Sequence, residues 1–290
     1  MHAIAMKKKV ARLMSLLVAA GAFGAALLLL GFILQVVGQG IAGFSMEILL
    51  DLRDMFFNTL YLVLLALVFS TLWGVPAGIY LAEYAKDGKV VQWVRMAVET
   101  LASLPSIVVG LFGYLVFIVM TGSQWNLLAG ALSVSILTLP LMTSVTENAL
   151  KDLPPEYTMG SLGLGASRWQ TIWHVLLPAS YPRIETGMIL AAGRGFGETA
   201  ALLFTAGMST DIDWGSWNLA SSTCALNPLR PGETLALHIW VMRTEALAPD
   251  AAQVASVTSA LLMLIVVGFT IVARYFCWRM DRNREGTSHA

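Results

Sequence analysis

The chain has 290 residues, of which 57% are hydrophobic and only 12% charged, with 18 basic and 18 acidic side chains in formal balance. That is too little charge to clothe a soluble globule of this size, so lipid is the expected solvent, and zero net charge gives no field for nucleic acid. The two cysteines, Cys224 in a polar stretch and Cys277 at a helix end, point to neither a disulfide framework nor a Cys-rich metal site.

The first element follows Lys7, Lys8 and Lys9, as a secretory signal would. Its apolar run continues from about Leu13 to Val37, too long for a signal-peptide core, and is read as a retained transmembrane helix. Apolar runs of spanning length recur at Phe56–Leu81, Ser106–Met120, Leu127–Val145, Ile184–Ala206 and Ala255–Tyr275. The expected fold is therefore all-α and membrane-integral, with about six spans and both termini on one side. The third run is short, and the amphipathic Trp93–Leu104 stretch before it is expected to extend it along or into the interface. Lys7, Lys8, Lys9, Arg12, Lys86, Lys89, Arg95, Lys151, Arg168, Arg183, Arg274, Arg279, Arg282 and Arg284 then fall on one side. Only Arg53, Arg230 and Arg243 fall on the other, so the termini and the Glu83–Leu104 and Thr146–Arg183 loops are expected to be cytoplasmic. No internal repeat stands out. The expected organisation is an N-terminal helix and external loop over 1–55, a membrane core over 56–275 and a cytoplasmic tail over 276–290. An external loop over about 208–253 carries Trp214, Trp217 and Trp240; headgroup anchoring is the favoured reading, with a ligand platform as the alternative.

The cytoplasmic loop carries the most distinctive motif. Pro154 and Pro155 suit a helix start, and Pro178 is expected to break the helix before the fifth span. Glycines at 160, 163 and 165 weaken an isolated helix by roughly 1 kcal/mol each relative to alanine. Such a helix calls for a partner surface, and small side chains let that partner approach its backbone; an amphipathic helix lying on the membrane is the alternative.

Gly165-Ala166-Ser167 followed by Val175-Leu176-Leu177-Pro178 resembles the EAA loop of ABC importer permeases, whose consensus is Glu-Ala-Ala, three residues, Gly-Ala and finally Ile-x-Leu-Pro. Met159-Gly160-Ser161 stands where Glu-Ala-Ala is expected, and Glu156, three residues earlier, is offered as a substitute carboxylate on the same helix face. The resemblance implies a type I ABC importer permease core. It also implies a coupling helix over about 154–177 that inserts into a groove on an ATPase subunit, with Glu156, Met159, Gly160, Ser161, Gly165, Ala166, Ser167, Arg168 and Pro178 as its contact set. The segments Ser103–Phe117, Leu137–Pro140, Thr146–Leu150 and Gly197–Ala206 are similar to those of PstA-type phosphate permeases.

Arg194 lies about ten residues into the fifth span, roughly 15 Å deep at 1.5 Å per residue. A charge there costs about 2.5–3.5 kcal/mol on insertion scales and is expected to face a cavity or a partner. Glu198 follows at i+4, which leaves two readings open. The pair satisfies itself within the helix, or Arg194 offers a bidentate fork to a crossing tetrahedral oxyanion while Glu198 accepts the proton that monohydrogen phosphate carries and sulfate lacks. Thr199 joins them in the candidate pathway set. Gly193, Gly195 and Gly197 are read as helix-packing residues rather than a phosphate-cradling loop.

No Gly-x-x-x-x-Gly-Lys-Ser/Thr loop, HExxH or Gly-x-Ser-x-Gly is present. The chain is thus expected to be a non-catalytic subunit with no cofactor of its own, ATP and magnesium residing on partner ATPases. The resemblance further implies a PstC-like permease partner, two ATPase subunits, a phosphate-binding protein and residence in the bacterial cytoplasmic (inner) membrane. Sulfate, molybdate or another tetrahedral oxyanion is the alternative cargo. A secondary transporter, which would show internal repeats, or an intramembrane enzyme is the alternative class.

Overall fold

The computed structural model describes residues 2–85, 88–208, 211–215, 217–245 and 249–287, with side chains within 12–279. Lys86 and the side chains of Lys7, Lys8, Lys9, Arg282 and Arg284, counted above toward sidedness, lie outside the described residues. The helices in chain order are α1 (His2–Ala42), α2 (Met46–Asp51), α3 (Arg53–Ile79), α4 (Lys89–Ser103), α5 (Ser106–Gly113) and α6 (Leu127–Lys151). There follow α7 (Pro155–Gly163), α8 (Arg168–Thr171), α9 (Leu177–Phe196), α10 (Ala200–Thr205), α11 (Leu235–Thr244) and α12 (Ala251–Thr287). Wider π turns extend three of these runs, at Tyr80–Tyr84, Tyr114–Val119 and Ile172–Leu176.

The centre of the bundle is α6. Its start is fixed by Asn126, whose Oδ1 accepts the Ala129 N–H at 2.7 Å. Its small and apolar residues pack on every side: Leu127, Ala131 and Val134 meet Leu62 and Ala66 of α3 and Leu202 and Ala206 beyond it, while Met142 and Ala149 meet Ile184 and Ala191 of α9. The α3–α6 approach is close. A Cβ added at Gly74 would lie 2.6 Å from Met142 Cβ, and one at Gly78 would lie 2.6 Å from Thr146 Cβ, so only glycine fits there. By contrast α1 is exposed on nearly every face over Arg12–Ala42 and packs along α12, where Gly40 sits against Ala260. A helix apolar all round and so little covered is dressed for lipid.

Four described helical runs are long and apolar enough to cross a membrane: Arg12–Ala42, Met46–Tyr84, Leu127–Lys151 and Ala251–Arg279. These contain the expected first, second, fourth and sixth spans. The fifth differs from expectation. At the third, α4, expected to extend the run along or into the interface, is bent from Ser106–Val119 by 100°, which makes a broken span or re-entrant pair. Pro105 explains the corner: it forces Leu104 out of helical geometry, to ψ 136, and then serves as the N-cap of α5. The fifth span is not one helix, because α9 ends at Phe196 and α10 begins at Ala200. Moreover, α9 carries Arg183, Glu185 and Arg194 and does not qualify as a crossing by length and composition alone. Residues 276–287, read from sequence as the start of a tail, continue α12 as helix.

The segment between α10 and α12 closes over the far end of α3 and α6. Leu127 N–H and Leu128 N–H donate to the carbonyls of Arg230 and Pro228, and Gly232 N–H donates to Ala206. Arg230 itself is only 1% exposed.

Candidate functional site

Two places carry the residues singled out in the sequence. The first is the α7–α8 segment. The single helix expected over 154–177 is instead two, because α7 stops at Gly163 and Gly165 takes φ +88°, the left-handed region that favours glycine. Ser167 then starts α8 with a capping box: its Oγ accepts the Gln170 N–H, and Gln170 Oε1 accepts the Ser167 N–H at 2.8 Å. A hydroxyl contact of 2.9 Å between Ser161 and Thr171 ties the two short helices together. Pro178 does not break the chain direction as expected. The π turn Ile172–Leu176 widens the helix just ahead of it, Leu177 N–H reaching back to Ile172, so the ring passes inside a run that continues as α9.

Nothing on α7 is buried within the chain. Glu156, Met159 and Gly160 are exposed, Leu164 is 92% exposed, and Trp169 and Trp173 stack obliquely 5.4 Å apart with open faces. A Cβ built at Gly160, Gly163 or Gly165 meets nothing within 4 Å. Arg168 points its guanidinium over the Tyr84 ring, 5.9 Å from the centroid. Behind this surface Ile172 and Leu176 are fully covered by Leu150, Ile79, Ala82 and Leu153, which anchors the exposed segment to the ends of α3 and α6.

The second place is the break in the fifth span. Arg194 lies on the exposed stripe of α9 that also contains Arg183, Thr186 and Leu190. Among the described residues its side chain makes no ion pair or hydrogen bond, and the intrahelical pair with Glu198 is not formed. Glu198 has left the helix. It is buried, and its Oε1 accepts the Ala201 N–H at 3.1 Å, which satisfies a free donor in the first turn of α10. Thr199 supplies the turn, at φ −124° and ψ −47°. Of the three glycines read as packing residues, only Gly195 meets a neighbour, with Val63 and Val134 in ordinary contact; Gly193 and Gly197 face open space.

Sequence reading missed two polar clusters. Glu147, buried on α6, receives Arg95 of α4 at 2.9 Å and Lys151 at 2.6 Å, which pins the bent helix to the bundle. The signal was a carboxylate inside an apolar run. At the opposite end, Arg230 donates to Asn58 Oδ1 at 2.5 Å and to the carbonyls of Ala225 and Pro231, while Asn58 donates to the Glu233 carbonyl. Burial pushes the Arg230 guanidinium below its ordinary pKa range, opposed by the nearby Tyr61 and Asp54; an arginine remains charged regardless.

An all-helical core, an uncovered pair of short helices at one end and an unpaired arginine on an open helix face describe a subunit built for partners. Residues 74–281 match the family described as binding-protein-dependent transport system inner membrane component. The chain belongs to that family. This permease is therefore the non-catalytic, multi-pass transmembrane subunit of an ABC importer that works with a binding protein and ATPase subunits. It is 44% identical over 225 residues to the probable ABC transporter permease protein YqgI of Bacillus subtilis, covering 77% of this chain and 76% of that one. The phosphate transport system permease protein PstA 2 of Mycobacterium bovis is 32% identical over 232 residues, 80% of this chain and 73% of that one. PstA of Xylella fastidiosa is 39% identical over 155 residues, 53% and 54% of the two chains. An inward-facing structure of the MetNI methionine ABC transporter superposes on the permease with a TM-score of 0.62 at 17% identity, covering 81% of this chain and 99% of that one. That likeness shows the fold, an all-helical type I importer core.

Proposed function

We propose that this permease imports inorganic phosphate, with Arg194 as the pathway residue that meets the anion between this subunit and a PstC-like partner. The observation that carries the reading is the isolation of Arg194, an exposed guanidinium on α9 that no carboxylate among the described residues neutralises. A planar fork of this kind matches a tetrahedral oxyanion. Two relatives named as PstA supply the choice among oxyanions. With one oxygen of Glu198 already engaged by Ala201, the other is left to accept the proton of monohydrogen phosphate, while Thr199 at the same turn contributes a hydroxyl.

The remaining parts follow the same reading. The α7–α8 surface, from Glu156 through Arg168, docks into a groove on one of two ATPase subunits, which hold ATP and magnesium; the permease carries no cofactor. A phosphate-binding protein delivers the anion to the opposite end, where Arg230 and α11 lie. The excess of arginine and lysine read from the sequence supports a cytoplasmic α7–α8 face and cytoplasmic termini in a bacterial inner membrane.

The test is ATP-driven uptake of labelled phosphate by the assembled transporter in vesicles, with sulfate and molybdate as competitors. Wild type is expected to import phosphate and ignore sulfate. Arg194→Gln is expected to lose about 10- to 100-fold in uptake with assembly intact, the range for a charge-assisted hydrogen bond. Normal uptake in that variant would assign Arg194 to subunit packing; transport of molybdate or sulfate instead would replace the cargo and keep the coupling.

A further inference from the structure

The lower half of α12 presents a feature that transport does not use. Helices α9 and α12 pack tightly where Ala192 and Phe196 meet Leu262, Ile265 and Phe269, with the two phenyl rings edge to face at 5.2 Å. On the coupling-segment side of that contact a cleft of about 690 Å³ opens between the helices. Its walls are Ile189, Leu190 and Gly193 from α9 and Thr270 from α12, and at its mouth stand Arg274 and Trp278, one helical turn apart on the same face. No acidic residue lines it. Arg274 is exposed and makes no ion pair or hydrogen bond among the described residues.

The surroundings name the occupant. Ile271, Val272, Tyr275, Phe276 and Trp278 are each more than half exposed, so α12 is apolar on successive faces at this level, as a helix end immersed in acyl chains is. Tyr275 lies against both Phe276 and Trp278, 6.1 and 6.2 Å between ring centroids, which forms the aromatic cluster expected at headgroup depth. An apolar cleft continuous with the bilayer, closed at the headgroup level by an uncompensated guanidinium and an indole, has the charge pattern of a basic interhelical lipid pocket.

We propose that the α9–α12 cleft is a binding site for an anionic phospholipid, its headgroup phosphate on Arg274 and an acyl chain along Ile189, Leu190 and Gly193. The lipid wedges the two helices at the coupling-segment end, within about one turn of Arg194 on α9.

The test uses the transporter assembled with its partner permease and ATPases, purified in detergent and offered equal amounts of phosphatidylglycerol and phosphatidylcholine. Native mass spectrometry is expected to show about fivefold preferential retention of phosphatidylglycerol. Arg274→Gln is expected to bring the ratio near one, and Arg274→Lys to restore most of it. Millimolar inorganic phosphate is expected to leave the retained lipid in place. A thiol reagent directed at Cys277, which lines the cleft, is expected to react more slowly with phosphatidylglycerol present, and this protection is lost in Arg274→Gln. A wild-type ratio near one, an unchanged ratio in Arg274→Gln, or displacement by inorganic phosphate overturns the proposal. So does shielding of Cys277 that is equal with and without lipid, which would mean the partner permease fills the cleft.

Discussion

The two ends of the bundle solve opposite problems. At the Arg230 end, the chain crosses back over itself and satisfies its polar groups internally: Arg230, Asn58, Glu233, Thr234 and His238 are all buried, and Glu233 Oε1 lies 3.0 Å from His238 Nδ1. Thr59 Oγ1 accepts the Leu235 N–H, so even the start of α11 is held by α3. At the α7–α8 end the polar groups are capped just as carefully, yet the apolar side chains Met159, Leu162 and Leu164 stay in the open. The first end satisfies its polar groups within the single chain, and the second leaves apolar side chains that the single chain does not cover. Mutations should therefore report on stability at one end and on coupling at the other.

The largest effect is expected from Arg230→Met. Replacing a buried guanidinium by an apolar side chain of similar length removes its bonds to Asn58, Ala225 and Pro231 and leaves those acceptors dry. The cost is on the order of 3 kcal/mol. Thermal unfolding of the purified permease should show a clear fall in midpoint, and uptake per assembled complex should stay near wild type. A stable variant with defective uptake would break the comparison, because Arg230 would then act in transport itself and not only in holding this end together.

Next in size is Leu164→Asp. The Leu164 side chain is almost fully exposed, so stability should move by no more than about 0.5 kcal/mol. Loss of an apolar anchor from a docking surface is worth about 2 kcal/mol, or roughly 30-fold in affinity for the ATPase. Pull-down of the ATPase subunits and the ratio of ATP hydrolysed to substrate imported measure it. A lowered unfolding midpoint with normal coupling would mean that Leu164 packs within the permease. Gly165→Ala separates shape from contact, because its Cβ meets no neighbour while φ +88° strains it by about 1–2 kcal/mol.

What was legible in the sequence follows the same division. Long apolar runs declare themselves through hydropathy, so α1, α3, α6 and α12 were visible, as was the proline- and glycine-marked segment that became α7 and α8. Interruptions inside apolar runs were not. The corner at Leu104–Pro105 and the gap at Gly197–Thr199 leave the mean hydropathy almost unchanged, and Glu198 reads equally well as an i+4 partner of Arg194 or as a cap for Ala201. Only the backbone distinguishes these. Arg230 was invisible for another reason: in a polar loop a lone arginine looks solvated, and its partner Asn58 lies 172 residues away. The capping box at Ser167 and Gln170, by contrast, is local and could have been read directly.

The smallest effect sharpens the comparison at the residue that joins the external segment to the membrane. Trp214 donates its indole N–H to Asp54 Oδ1 at 2.9 Å, Arg53 lies over the ring at 4.7 Å, and Phe57 packs edge-on at 5.3 Å. Two tryptophans read together from sequence thus separate here, since Trp214 is pinned to the start of α3 while Trp217 is 80% exposed. Trp214→Phe keeps the ring contacts and removes one exposed hydrogen bond, for an expected loss of about 1 kcal/mol. Trp217→Phe should leave stability unchanged. If both lie at the headgroup boundary, the Trp217 variant should weaken partitioning of the loop into lipid, read as reduced protection of the loop from added protease in vesicles. Equal destabilisation by the two substitutions would mean that the whole external segment, and not its Trp214 edge alone, belongs to the closed end.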